Sequence, residues 1–388
     1  MNKKSTSYID LKTQVLNYLQ TLKKGDTNYN FSSSVKGNIY SSIIALYIYD
    51  LLGETKKFSN EKKQIWIKYI NSYQDKETGY FMPERQITNR PERNYLQLTT
   101  FCLSALRILG AKPLVDPPFK EELKNPDYIK SYLKKYNCLE GKRGSGNMAM
   151  FLGILLTYFF EDTNDEIYKN NLDKWFDLHD LSVNVNGFWG EHLEAKYYNG
   201  VQNGFHQYVI YDYWKREVIK SHEILNILAK TQDFEGHFAP FPGGAACEDY
   251  DAIHLLIILN TRLKNRSNQI EKQLMKAKKA LLNDLNKNGG FCQTKINPSR
   301  INLRNIRFLL EFKSLNALII KLRKSLGFLI KRRDYIKVDW FDSDRKYNES
   351  NLWDTWFKLL AIAEIETHLG SENKNKFKFQ EHIGLGNF

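Results

Sequence analysis

The densest set of groups able to do chemistry lies between residues 238 and 254. Pro240, Pro242, Gly243 and Gly244 hold a loop there, and Cys247, Glu248, Asp249, Asp251 and His254 follow on an apolar helical stretch. Cys247, Asp251 and His254 stand at i, i+4 and i+7, hence on one helix face. A helix dipole favours carboxylates in its first turn, so capping by Glu248 or Asp249 accounts for part of the cluster. It does not account for Asp251 and His254, which sit deeper, where the pattern demands burial and an ionisable group is costly unless paired. A paired carboxylate and imidazole can do general acid and base work. The reading is Asp251 as acid or base and His254 orienting it or relaying the proton, with Asp249 and Glu248 in the same catalytic set. A divalent metal held with Cys247 is another use of these groups, but the spacing matches no common zinc pattern. No metal is expected, and no cofactor can be named.

Three further polar clusters are candidates for holding substrate. Glu191 and His192 follow Trp189 in the turn 187–190, and Gln202, Asn203, His206 and Gln207 precede an apolar stretch. His206 and Gln207 are expected to point toward the same mouth as Asp251; the plain alternative for His206 is a cap or a satisfied core histidine. Arg93 and Tyr95 form a third cluster. Asp354 forms the fourth, a carboxylate within a helix otherwise made of Trp, Phe and Leu, which implies a buried and partnered acid. His206, Glu191 and Asp354 are read as positioning substrate, beside Gln207, Trp189, Tyr95 and Arg93.

These clusters recur because the elements that carry them recur. Seven times a turn-forming segment, usually ending in Gly plus an aromatic, precedes a helical stretch: 25–28, 78–81, 141–144, 186–189, 235–238, 288–291 and the polar run 342–350. The downstream stretches, 39–52, 95–109, 148–160, 205–214, 250–263 and 352–369, are apolar on most sides. The stretches 59–73, 127–136, 168–178 and 269–286 carry one apolar stripe and one charged face. Helices apolar all round are buried and striped ones face water. A repeat of about 45 to 60 residues with two helices per unit reads as stacked hairpins, as a solenoid or a ring. The expected fold is all-α, an α/α toroid of six to seven hairpins, with inner helices wrapped by outer ones. It is read as one domain over 1–388, since no Pro/Gly/Ser-rich linker interrupts the repeats.

Composition bounds the remaining choices. The 388 residues hold 57 Lys and Arg against 44 Asp and Glu, for a net charge of +13. Of this, +10 lies in residues 295–337, where twelve cations face Glu311 and Asp334 among many Leu, Ile and Phe. Such a basic amphipathic segment suits an anionic membrane surface; the alternative is an ordinary outer hairpin with solvated cations. Phosphate recognition would use the same cations, whereas nucleic acid is not expected as a partner, because no recognition motif accompanies the charge. The four cysteines are scattered, so no disulfide framework is indicated. With no signal peptide at the start and no apolar run long enough to span a bilayer, the expected location is cytoplasmic, peripheral at a membrane if the basic segment docks.

The turns 74–81 (Gln-Asp-Lys-Glu-Thr-Gly-Tyr-Phe), 232–238 (Gln-Asp-Phe-Glu-Gly-His-Phe) and 288–293 (Asn-Gly-Gly-Phe-Cys-Gln) resemble those of the prenyltransferase and squalene cyclase repeat superfamily. The resemblance covers most of the chain, through short and degenerate motifs. It implies a toroid whose central cavity takes an isoprenoid chain. The superfamily's active-site patterns do not carry over. The Asp-x-Asp-Asp acid of class II cyclases meets Asp249-Tyr250-Asp251-Ala252 here, and Cys247 precedes Asp249, reversing the zinc-site order of protein prenyltransferases. Toroids of this shape also host sugar epimerases, lyases and glycosidases. The leading expectation is an enzyme acting on an isoprenoid or isoprenoid-linked substrate. The alternatives are a carbohydrate-active toroid acting on a glycan and a non-catalytic ligand-binding scaffold. A cavity lined by Phe, Tyr, Trp and Leu favours the first, and a cleft of Arg, Asn, Gln and His the second.

Overall fold

A computed structural model describes residues 8–84, 91–262, 268–300, 303–311, 313–331, 335–336 and 344–379. Six helices make an inner ring: α2 (Ile39–Leu51), α4 (Pro91–Ile108), α6 (Ser145–Thr163), α8 (Tyr198–Tyr213), α10 (Ala246–Arg262) and α14 (Leu352–His368). Each packs on the next, and α14 packs back on α2, so the ring closes. The outer layer is α1 (Tyr8–Leu22), α3 (Asn60–Asn71), α5 (Pro126–Lys135), α7 (Glu166–Leu181), α9 (Ser221–Thr231) and α11 (Asn268–Asn283). Every outer helix lies against the inner helix that follows it; Gln20 of α1 reaches the Tyr49 hydroxyl of α2, and Trp175 of α7 meets Tyr211 of α8. The fold is an all-α toroid of six hairpins. The seventh turn segment, at 342–350, precedes no further pair: it leads out of an insertion into α14. Its first two residues lie outside the described ones, as does Leu263 at the end of the fifth inner stretch.

Local sequence explains the alternation. All thirteen residues of α2 are buried, whereas α11 buries only Ile270, Leu274, Ala277, Ala280 and Leu281, one stripe at helical spacing. The turns between outer and inner helices are closed by short polar side chains. Asp233 Oδ1 accepts from the backbone N–H groups of Glu235, Gly236 and His237 at 2.8–2.9 Å, and Asn184 does the same for Asn186 and Phe188. Gly236 has φ +117°, and a Cβ there would stand 2.5 Å from the Lys276 carbonyl of α11. Gly289 repeats the device at the seam, where a Cβ would meet the Gln14 carbonyl of α1 at 2.1 Å. Each such turn therefore seats against the next outer helix, and the last seats against the first.

The hollow of the ring is filled. Tyr47 of α2, Phe101 of α4 and Trp356 of α14 meet in tilted and edge-on contacts with centroids 5.0–5.9 Å apart, and Phe205, Tyr250 and Phe357 continue the packing through α8, α10 and α14 at 5.3–5.5 Å. All six are buried, and a fully buried Phe alone contributes about 1.5–3 kcal/mol.

Between α11 and α14 the chain makes a long excursion holding α12 (Leu303–Leu310), α13 (Leu315–Lys331) and a two-stranded antiparallel ribbon of β1 (Tyr335–Ile336) and β2 (Arg345–Lys346). The basic segment of the sequence is this excursion, and its Arg332, Arg333, Asp334 and Lys337 have side chains outside the described ones. Helices α12 and α13 belong to neither ring. They lie over the turns that lead into α8 and α10: Arg323 pairs with Glu194 at 2.7 Å, Arg304 pairs with Glu235, Phe328 packs on Phe241, and Lys313 reaches the Gln232 carbonyl.

Candidate active site

The turns that precede the inner helices gather those helices' N-termini at one mouth of the toroid, and there a cleft of about 230 Å³ opens. Its walls come from three sources. The first turn of α8 supplies Tyr198, Asn199 and Gln202; Arg143, Pro240, Phe241 and Glu248 come from the segments around α6 and α10. Arg323, Lys324, Gly327, Phe328 and Lys331 come from α13. Four of these twelve residues are cations and two carry amides, with three aromatic rings and one carboxylate, Glu248.

Glu248 is partly exposed, and the Cys247 thiol donates to its Oε2 at 3.3 Å. Burial raises its carboxyl above the ordinary range and Asp249 adds to this, while the Cys247 hydrogen bond and Arg143 pull the other way. Across the cleft, burial lowers Lys324, and Arg143 and Arg323 lower it further against the pull of Glu194 and Glu248.

Asp249 turns inward. Its Oδ2 lies 2.7 Å from His237 Nδ1 and its Oδ1 accepts from the Phe238 backbone at 2.7 Å, which locks the turn onto the start of α10. Burial works against a charged His237, but the Asp249 carboxylate outweighs it, with Asp233 and Asp284 adding, and the imidazole rises to about 9. Gly244 makes room for the pair: a Cβ there would sit 2.3 Å from His237 Nδ1.

Asp251 is buried, and its Oδ2 has no hydrogen-bond partner. Burial holds its carboxyl well above the ordinary range, and Glu248 and Asp249 push it higher. The expected pairing of Asp251 with His254 is not formed. His254 Nδ1 instead meets Glu364 of α14 at 3.0 Å, and the Tyr250 hydroxyl donates to the same carboxylate at 2.7 Å. Spacing of i, i+3 makes two side chains neighbours; here a facing helix brings a closer acid to the imidazole.

The residues expected to hold substrate take several places. Burial pushes His206 down to about 4, Arg93 pushing the same way against the Gln202 carbonyl, which lies 2.6 Å from Nδ1. Gln207 is buried and donates to the Cys138 carbonyl. Trp189 is also buried, its indole N–H on the His179 carbonyl at 2.9 Å. Glu191 is exposed and paired with Lys196 at 2.6 Å. Tyr95 is partly buried beside Tyr80, and the Arg93 guanidinium lies beside Gly144. Asp354 is a buried, partnered acid, held by Arg345 and Asn351 at 2.5 Å each. None of these seven lines the cleft. Sequence reasoning missed Arg143, Tyr198, Asn199, Phe241, Lys324, Phe328 and Lys331. The usable signal was the long interval between the sixth repeat turn, 288–291, and the last inner helix at Leu352, which marks an insertion at the turn end of a hairpin and hence over the mouth. Among the described residues no group of three or more His, Cys, Asp or Glu side chains is placed to hold a metal ion.

No protein-family model and no curated protein matches this chain. Solved structures that it is similar to include one described as a GH76 alpha-mannanase of Bacteroides thetaiotaomicron, at 13% identity and TM-score 0.44, covering 84% of this chain and 98% of that one. A possible GH105 member from Klebsiella pneumoniae shares 11% identity at TM-score 0.43, with 95% and 96% covered. A family 88 glycosyl hydrolase from Bacteroides vulgatus shares 13% at 0.42, with 84% and 98% covered. At these scores the likeness brings no residue and no reaction to this chain.

The isoprenoid expectation is corrected here. The aromatic side chains that were to line a deep apolar cavity pack against one another inside the ring, and the cleft at the mouth sets four cations and two amides beside Tyr198, Phe241 and Phe328. The toroid that the repeat resemblance implied is the fold; the prenyl chemistry is not supported.

Proposed function

We propose that this chain is a carbohydrate-active enzyme that cleaves a glycosidic bond near the end of an anionic glycan, with Glu248 as the proton donor. Residues 1–388 would form one toroid domain, with segment 295–337 inserted across its mouth. The supporting observation is the lining of the cleft, where one partly exposed acid faces cations and amides. Arg143, Lys324 and Lys331 suit carboxylate or sulfate groups, Asn199 and Gln202 suit sugar hydroxyls, and Tyr198, Phe241 and Phe328 suit the apolar face of a sugar ring. At about 230 Å³ the cleft is smaller than the about 300–1,000 Å³ of pockets that enclose drug-sized ligands, so it fits a terminal unit.

Burial raises the Glu248 carboxyl above its ordinary range, which favours the protonated form that a donor needs. That proton passes to the bridging oxygen as the bond from the sugar's ring carbon breaks, a water molecule bonds to that carbon and its released proton restores Glu248, and the cations offset the charge carried by the sugar's own anionic group. The test incubates the purified protein and Glu248→Gln with neutral, uronate-bearing and sulfated oligosaccharides, reading new reducing ends and ultraviolet-absorbing unsaturated ends. Product from anionic glycans, falling about 100-fold or more in the variant, is expected. Identical product profiles for the two proteins, or cleavage confined to neutral glycans, would sink the reading. Activity should also fall as pH rises through the raised Glu248 value; Arg143 holds that value down, so the alkaline limb of kcat should move to higher pH in Arg143→Ala.

A further inference from the structure

Eight of the sixteen large apolar side chains exposed among the described residues lie on α12 and α13. On α13 they are Leu315, Ile319, Leu322, Leu326 and Ile330, at steps of four, three, four and four, and therefore one continuous stripe. Leu303, Ile306 and Leu310 make a second stripe at steps of three and four on α12. The stripes are far from incidental exposure: Leu326 is 54% exposed, Leu310 76% and Ile330 79%. The opposite side of α13 is occupied. Ala317, Ile320, Lys321 and Ser325 are buried, and Lys324, Phe328 and Lys331 line the cleft. A solvated outer hairpin would show the reverse pattern, with its apolar side inward and its charges outward.

The charge around the stripes is one-sided. Arg307 and Arg323 are exposed on the two helices and Lys313 on the turn that joins them, and Glu311 is the one acid among the described residues of 303–331. An isologous contact between two copies would set these cations against their own equivalents, which is repulsive. A surface offering apolar depth beneath fixed negative charge complements both features at once. Among the described residues no helix is long and apolar enough to cross a membrane, so the fitting geometry is a hairpin lying in the surface plane.

We propose that the α12–α13 hairpin docks this protein on an anionic lipid bilayer, its two stripes entering the headgroup boundary. Because α13 lines the cleft with its other side, docking holds the mouth of the toroid at the bilayer surface. The inference rests on the exposed faces and not on the cleft's chemistry. It is tested by flotation of the full chain with phosphatidylcholine vesicles, with and without phosphatidylglycerol, at low and high salt. Binding to the phosphatidylglycerol vesicles is expected, weakening about tenfold or more at high salt. The pair Leu322→Gln and Leu326→Gln should weaken it by about tenfold while leaving helical circular dichroism and melting unchanged, since both sites are exposed. Failure to float with either vesicle at low salt overturns the proposal. So does a concentration-dependent dimer in sedimentation that Leu326→Gln abolishes, which would make the stripe a contact between copies.

Discussion

At the scale of single residues, environment separates side chains that the sequence treats alike. Glu248, Asp249 and Asp251 fall within one turn of α10, yet the first faces the cleft, the second is tied to His237 and the third is buried, its carboxyl held well above the ordinary range. The Asp249–His237 pair has a measurable consequence. His237 rises from an ordinary 6.5 to about 9 in the folded chain, so folding takes up a proton between those values. Its contribution is therefore whole below about 6.5 and fades as pH climbs through about 9, by at most a few kcal/mol at about 1.4 kcal/mol per unit. Denaturant midpoints measured across that window should fall for the parent and flatten for His237→Gln; parallel slopes for both would refute the assignment. A close pair such as His254 and Glu364 could not be read from the chain, because its members stand 110 positions apart.

At the scale of elements, the turns carry the repeat, and their glycines carry the turns. Gly236 and Gly110 both have positive φ, but a Cβ meets the Lys276 carbonyl at the first and open space at the second. Gly236→Ala should lower stability by about 1–3 kcal/mol through the backbone, with the collision adding more. Gly110→Ala should show the backbone part alone, and thermal melts that place the two variants level would argue against seating on α11. This level was largely legible. Residues 39–52 and 352–369 read as apolar on most sides and are inner helices, and 269–286 read as striped and is an outer one. Helix α9 was not singled out among the striped helices, although Ile224, Ile227, Leu228 and Thr231 bury one side of it. The extra hairpin α12–α13 carries a helical pattern like the others, so nothing in its periodicity separated it from the ring.

At the scale of the whole molecule, closure depends on a plug of aromatic rings shared by helices distant in sequence. Trp356 touches Tyr47 and Phe101 and belongs to the contact between α14 and α2 that shuts the annulus. Trp356→Ala should cost about 3–5 kcal/mol, because a filled centre relaxes poorly around a cavity. Hydrogen exchange should then quicken in α2 and α14 together, whereas loss of protection confined to α14 would show that the two helices do not close the ring jointly. The described C-terminal tail adds a second clasp across the same seam, where Lys378 pairs with Asp50 at 2.5 Å and its N–H meets the Leu51 carbonyl.

Periodicity, turn residues and apolar content are properties of neighbours in the chain, and they alone determined the hairpin repeat, the inner and outer helix types and the expectation of a ring. Tertiary structure decided the rest, because it depends on which distant side chains meet. The centre is packed instead of hollow, His254 answers to Glu364, and the acid at the mouth is Glu248, framed by Arg143 and Lys324 from elements on either side of it in sequence. Charge and burial act through space over a few ångströms, and only the closed ring brings those groups that near.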